Sequence, residues 1–262
     1  MTELIINVPV MSEVFAQGHK PEYLYWVGCA GAYDFRYKKV ARAFAKILNY
    51  AKIDFAVLGT EETCTGDPAR RAGNEMLFQM QAMQNIQLFQ QYDVKKILTT
   101  CPHCYNTLKN EYPDLGSTCE VIHYTELLSQ LTDKGIIPAV KSHNDDVTYH
   151  DPCYLGRANH IYDAPRHVIE NMGCEIKEMS RNKSFALCCG AGGAQFFKES
   201  EPGEKEICTL RAEQVLETTT KEVITACPFC ITMLTDGLKN LNKEEEVQVK
   251  DIAELVVEKL GL

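Results

Sequence analysis

Twelve cysteines stand out in this 262-residue chain, and two of them, Cys188 and Cys189, are adjacent in the stretch SFALCCGAGGAQ, residues 184–195. Neighbouring cysteines can hardly bond each other without strain, and a reduced pair on a glycine-rich loop invites oxidation. The pair therefore needs another occupant. The remaining spacing shows what kind. Thirty-four residues separate Cys29 from Cys64 and 36 separate Cys64 from Cys101, which opens CPHC and is closed by Cys104. Thirty-four residues also separate Cys153 from Cys188, and 37 separate Cys189 from Cys227, which opens CPFC and is closed by Cys230. The pattern occurs twice.

Thiolates select zinc or iron–sulfur clusters, and a set of four serves either. The second half offers five: Cys153, Cys188, Cys189, Cys227 and Cys230. A tetrahedral zinc has no use for the fifth, whereas a multi-iron cluster takes more contacts. Gly190, Gly192 and Gly193 let the backbone approach sulfur and turn its N–H groups inward. Cys119, Cys174 and Cys208 lack partners at this spacing and are expected to be small buried apolar residues.

The residues around the cysteines repeat with them. VKKILTTCPHCYNTLKNEYPD matches KEVITACPFCITMLTDGLKN, and VIHYTELL matches VKDIAELV at the same distance downstream. An offset of about 125 residues implies a duplication into two domains of ordinary size, placed here at 1–140 and 141–262. Short β-rich runs end at or near the cysteines: YLYWVGC, DFAVLGT, VKKILTTC, DVTYHDPC and EVITAC. Helical patterns separate them, notably RYKKVARAFAKILNYAK and the single run RRAGNEMLFQMQAMQNIQLFQQY, whose methionines suggest a core or subunit-contact stripe. Alternating strand and helix give an α/β fold in which each half has a mostly parallel sheet, with its cysteines at the strand carboxyl ends. Pro102 and Pro228 suit the first turn of a helix starting inside each CPxC, so that backbone N–H groups and the helix dipole face bound thiolates.

Composition excludes several functions. The net charge is −9 with no basic run, which argues against nucleic acid or anionic lipid as partner. No uninterrupted apolar segment is long enough to span a membrane, and MTELIINVPVMSEVF has neither the basic start nor the cleavage site of a secretion signal. A cytoplasmic location is expected, possible membrane association coming through partners, and there the cysteines stay reduced. The acidic stretch NKEEEV, residues 242–247, is expected to be solvated.

With CCG between a single cysteine and a CxxC, the repeat resembles the cysteine-rich CCG domain of heterodisulfide reductase B and D subunits. Related domains occur in glycolate oxidase, anaerobic glycerol-3-phosphate dehydrogenase and lactate-utilisation iron–sulfur subunits. The strings CTGDPARRAGNE, TTCPHCYNTLKNEYP, YHDPCYLGR and CCGAGGA are similar to the carboxyl-terminal part of bacterial membrane proteins that pass electrons from electron-transfer flavoprotein to menaquinone. The resemblance runs from about Tyr23 to the end. It implies a non-cubane 4Fe-4S cluster on Cys153, Cys188, Cys189, Cys227 and Cys230, the arrangement that cleaves a disulfide in heterodisulfide reductases.

The first half departs from that pattern, because Thr63-Cys64 stands where the doublet would be. Cys29, Cys64, Cys101 and Cys104 remain, and the choice between a cubane 4Fe-4S cluster, a non-cubane one with an oxygen or nitrogen substitute, and zinc stays open. Asp67 and His103 are possible substitutes, each expected instead to be a loop residue or a hydrogen-bonding support for a ligand. Arg70 and Arg71 either compensate a negative cluster or cap a docking face, with ordinary surface roles as the alternative. His150, beside Asp151 and just before Cys153, is expected to be a structural hydrogen-bonder, with proton donation at the second site as its functional alternative.

Without a flavin fingerprint, a CxxCxxCxxxCP run or a membrane span, the chain is expected to work with a ferredoxin-type iron–sulfur subunit, a flavoprotein donor and a membrane subunit reactive toward quinone. The expected role is electron transfer within an oxidoreductase. The alternative is a heterodisulfide-reductase-like subunit reducing a disulfide at the second cluster. A redox-silent zinc scaffold leaves the fifth thiolate unexplained.

Overall fold

Each short run of β-branched and aromatic residues ahead of a cysteine forms a strand. The computed structural model describes residues 6–141, 145–199 and 202–262. Strands β1 (Tyr23–Trp26), β2 (Phe55–Ala56), β3 (Lys96–Thr99) and β4 (Glu120–His123) make a parallel sheet in the order β2-β1-β3-β4. Strands β5 (Asp145–Tyr149), β6 (Cys174–Ile176), β7 (Glu222–Thr225) and β8 (Gln248–Asp251) make a second parallel sheet in the order β6-β5-β7-β8. The two orders are the same once the second set is counted from its own start, so the duplication read from the cysteines holds in the topology.

Parallel pairing requires crossovers, and helices supply them. Tyr37–Tyr50 lies between β1 and β2, Glu75–Gln91 between β2 and β3, and Tyr124–Asp133 follows β4. In the second half, Asp163–Asn171, Ile207–Glu217 and Pro228–Asn240 connect the strands, and Ile252–Leu260 follows β8. Both CPxC prolines sit in the first turn of a helix, Pro102–Asn106 and Pro228–Asn240, with Cys101 and Cys227 as the N-cap residues. The VIHYTELL and VKDIAELV segments also correspond: each strand ends in a capping box, His123 with Glu126 and Asp251 with Glu254.

One expectation is corrected and one narrowed. The run from Arg70 to Tyr92 is two helices, Asp67–Arg71 and Glu75–Gln91, because Gly73 turns at φ +86° and the Asn74 side chain accepts the Leu77 N–H at 3.1 Å. The methionines of the second helix do not fill the core: Met76, Met80 and Met83 are exposed, while Phe78, Ala82, Ile86 and Phe89 face inward. The NKEEEV stretch is a turn leading into β8, its acidic residues exposed as expected and Val247 buried.

One apolar cluster runs through both halves, joining Tyr25, Phe44, Tyr124, Tyr149, Ile224 and Val256. A second cluster packs Trp26, Phe89 and Tyr112 with Cys101, Cys104, Cys189, Cys227 and Cys230. Buried cysteines of both repeats therefore share one apolar cluster.

Candidate metal centres

All twelve cysteines are free. In the second repeat, β5 delivers the turn that carries Cys153, the loop after β6 delivers Cys188 and Cys189, and β7 leads into Cys227 and Cys230. The five thiols influence one another in an unbroken series: Cys153 with Cys188, Cys188 with Cys189, Cys189 with Cys230, and Cys230 with Cys227. Cys230 Sγ and Cys189 Sγ are 3.4 Å apart.

Such crowding is electrostatically awkward without a counter-charge. Contact with Cys188 followed by burial pushes the Cys153 thiol up, and the hydrogen bonds from Cys153 and Cys189 bring Cys188 down. Burial alone would raise Cys227, but hydrogen bonds from Cys230 and His103 outweigh it and bring it down to about 5. Five crowded sulfurs, three buried and two half-buried, cannot all ionise together unless positive charge sits among them, which is the condition an inorganic cluster satisfies.

In the first repeat Cys29 bonds Cys64 and Cys101 bonds Cys104; all four line a single cavity together with Thr65 and His103. The Cys29–Cys64 contact lifts Cys29 and lowers Cys64 to about 7, as expected when one proton is shared between two sulfurs. The backbone N–H of Cys104 bonds the Cys101 sulfur, as that of Cys230 bonds Cys227.

The register of the first repeat differs from the sequence expectation. Cys64 Sγ accepts the N–H of Gly66 at 3.4 Å, and Cys188 Sγ accepts that of Gly190 at 3.3 Å. Both glycines are left-handed, φ +85° and +100°, a conformation that excludes most side chains. Cys64 thus corresponds to Cys188, and Cys64-Thr65, not Thr63-Cys64, stands where the doublet would be. Thr63 bonds Asn85 instead, at 2.8 Å.

The two proposed ligand substitutes already have partners. Asp67 accepts from His103 Nδ1 at 3.0 Å and from Arg71 Nε at 3.1 Å. His103 also bonds Cys227 of the other repeat; burial alone would lower it, but Asp67 and Cys227 raise it to about 10. Its ring stacks on Tyr154 at 4.3 Å and meets Phe229, the residue at its own position in CPFC, at 4.8 Å. Phe229 also lines the cavity of the first site, so the two sites are neighbours across this contact. Arg70 and Arg71 both pair with Glu111 and are half-buried, which anchors them locally.

His150 is wholly buried and held in place by Arg211, whose Nε donates to its Nδ1 at 2.9 Å. Burial and then the Arg211 charge keep the ring neutral, so its proton lies on Nε2, which has no hydrogen-bond partner among the described residues. His150, Cys189 and Cys230 each offer an atom within 4.8 Å of the others. Arg211 itself escaped the sequence reading, since only its burial marks it. Glu62 escaped as well: it accepts the N–H groups of Val27 and Gly28 at 3.0 and 2.6 Å, and burial raises its carboxyl to about 7. Asp151 is structural, held by Arg166 at 2.8 and 2.9 Å. Cys174 and Cys208 are buried as expected, and the half-buried Cys119 donates to Val94 O at 3.3 Å.

The family model of the cysteine-rich CCG domain matches this chain twice, over residues 23–109 and 147–235. The chain belongs to the CCG cysteine-rich family. A Bacillus subtilis protein named "Probable iron-sulfur-binding oxidoreductase FadF" is 44% identical over 96% of the chain. The EtfAB:quinone oxidoreductase of Syntrophomonas wolfei is 44% identical over 91%. One component of the dihydromethanophenazine:CoB–CoM heterodisulfide reductase of Methanosarcina barkeri is 37% identical over 93%. The chain spans about a third of the length of the first two, 36% and 34%, and 60% of the third. No helix among the described residues is long and apolar enough to cross a membrane.

Proposed function

We propose that this chain is an iron–sulfur electron-transfer unit of an oxidoreductase that links a flavoprotein donor to membrane quinone. The observation that carries the reading is the meeting of five thiols from three distant segments in one buried site, beside a four-thiol site in the other repeat. Names of relatives point the same way: an iron–sulfur-binding oxidoreductase and an EtfAB:quinone oxidoreductase.

In this reading Cys153, Cys188, Cys189, Cys227 and Cys230 hold a non-cubane 4Fe-4S cluster, and Cys29, Cys64, Cys101 and Cys104 hold a 4Fe-4S cluster or zinc. Bound clusters supply one-electron steps at potentials set by their surroundings. The chain's own residues do the rest. Arg211 and His103 place donors and positive charge around the second sulfur set, and the apolar cluster of Trp26, Phe89 and Tyr112 keeps water away. A ferredoxin-type unit, a flavoprotein and a quinone-reactive membrane unit complete the path, whether fused or separate. Iron and acid-labile sulfide assays on anaerobically purified protein, with paramagnetic resonance of both redox states, test this reading. Zinc alone would overturn it.

One observation favours a second reading, reduction of a disulfide at the second site. His150 presents a neutral Nε2–H beside Cys189 and Cys230, suited to stabilising a departing thiolate by a hydrogen bond while the protons come from solvent. Two electrons and two protons convert one disulfide to two thiols. Reduced protein that is not reoxidised by any disulfide would remove this reading and leave the first intact.

A further inference from the structure

We propose that Thr65 is the residue that limits the amino-terminal site to four thiolates, and that a cysteine in its place would give that site the five-sulfur set of the second. The inference rests on the cluster-binding reading above and names what separates the two sites.

Both sites are built on the same turn. Cys64-Thr65-Gly66 and Cys188-Cys189-Gly190 carry the same N–H to sulfur bond, at 3.4 and 3.3 Å, over the same left-handed glycine. Thr65 therefore occupies the place of Cys189. Its side chain points the same way as well: Thr65 Oγ1 faces Cys104 Sγ at 4.0 Å, and Cys189 Sγ faces Cys230 Sγ at 3.4 Å. Cys104 and Cys230 are the closing residues of CPHC and CPFC. Both side chains are buried, Thr65 at 1% and Cys189 at 3% exposure. The threonine turn is fixed from outside, because Tyr112 Oη donates to Thr65 O at 3.0 Å and Asn85 Nδ2 donates to Cys64 O at 3.1 Å.

The difference between the two sulfur sets is thus one side chain, a hydroxyl and a methyl in place of a thiol. A hydroxyl stays protonated and is a hard, weak ligand for iron held among sulfurs, whereas a thiol there ionises and bonds iron readily. Threonine and cysteine differ little in bulk, so the exchange needs no repacking.

The test uses Thr65→Cys and the reciprocal Cys189→Thr in the whole protein, purified without oxygen. Thr65→Cys is expected to raise the second-site type of paramagnetic signal about twofold per chain, one such site becoming two. Cys189→Thr is expected to abolish that signal while iron remains. Placement is read separately in metal-free Thr65→Cys protein: diamide, taking two electrons and two protons from two thiols, should link the introduced thiol to Cys104, as peptide mapping would show. A link with an unchanged signal overturns the proposal, as does the absence of a link. Unmodified protein without iron would instead defeat the underlying reading.

Discussion

At the scale of single residues, the account depends on which sulfurs and donors share a site. Cys188→Ser or Cys189→Ser should abolish the second-site spectrum and leave the first site's metal in place; full iron with an unchanged spectrum would contradict the assignment. His103 offers a subtler check, because its ring donates from one repeat to Cys227 of the other. Replacing it with Phe, the residue that CPFC carries at this position, keeps a ring between Tyr154 and Phe229 but removes the hydrogen bond. The second site's midpoint potential should become more negative and its metal affinity should fall about 10-fold or more. His103→Gln should restore most of both. The cysteines were legible in the sequence because ligand chemistry allows few residue types at fixed spacing. Thr65 was legible too but was passed over: the 34-residue spacing that sets Cys64 against Cys188 also sets CTG against CCG, whereas a doublet counted from its second cysteine lands on Thr63; the left-handed glycines settle the register. Arg211 was illegible: in CTLRAEQV it reads as a surface arginine, and only packing reveals that it is buried against His150.

At the scale of elements, strands and crossovers followed from apolar runs that end at the cysteines, and the capping boxes repeated with them. The break at Gly73-Asn74 was hidden inside a continuous helical pattern, and of the two roles expected for the methionines the core one is excluded, because helical spacing alone does not say which face meets the core. Two elements support predictions. Helix Ile207–Glu217 crosses helix Pro228–Asn240 at Gly237, where a Cβ would stand 2.3 Å from Cys208 O. Gly237→Ala should force the helices apart and cost about 1–3 kcal/mol in thermal unfolding. Asp251, the cap of helix Ile252–Leu260, accepts from Tyr124 Oη at 2.7 Å, and burial raises its carboxyl to about 8. The folded chain therefore holds this proton more tightly than the unfolded one. Stability should fall as pH rises from the ordinary carboxylate range toward 8, and Asp251→Asn should flatten that slope in melting curves.

At the scale of the whole molecule, the two repeats share an interior and are also fastened at the surface. Arg36 of the first half reaches Glu254 of the second through two bonds of 2.6 Å and Val249 O at 3.0 Å. The bridge is half-buried, so Arg36→Ala should cost about 1–2 kcal/mol and loosen the halves, seen as faster amide exchange in β8. The duplication was visible in the cysteine spacing, and the matching strand orders bear it out. That His103, Tyr154 and Phe229 bring the two sites together was not visible, because contacts between repeats leave no periodic trace in a chain. The central claim is that five sulfurs of the second repeat surround one iron–sulfur core. Anomalous scattering at the iron edge from anaerobically grown crystals tests it most directly. The account predicts iron peaks at bonding distance from Cys153, Cys188, Cys189, Cys227 and Cys230; a site that holds zinc, or shows no iron among those sulfurs, would contradict it.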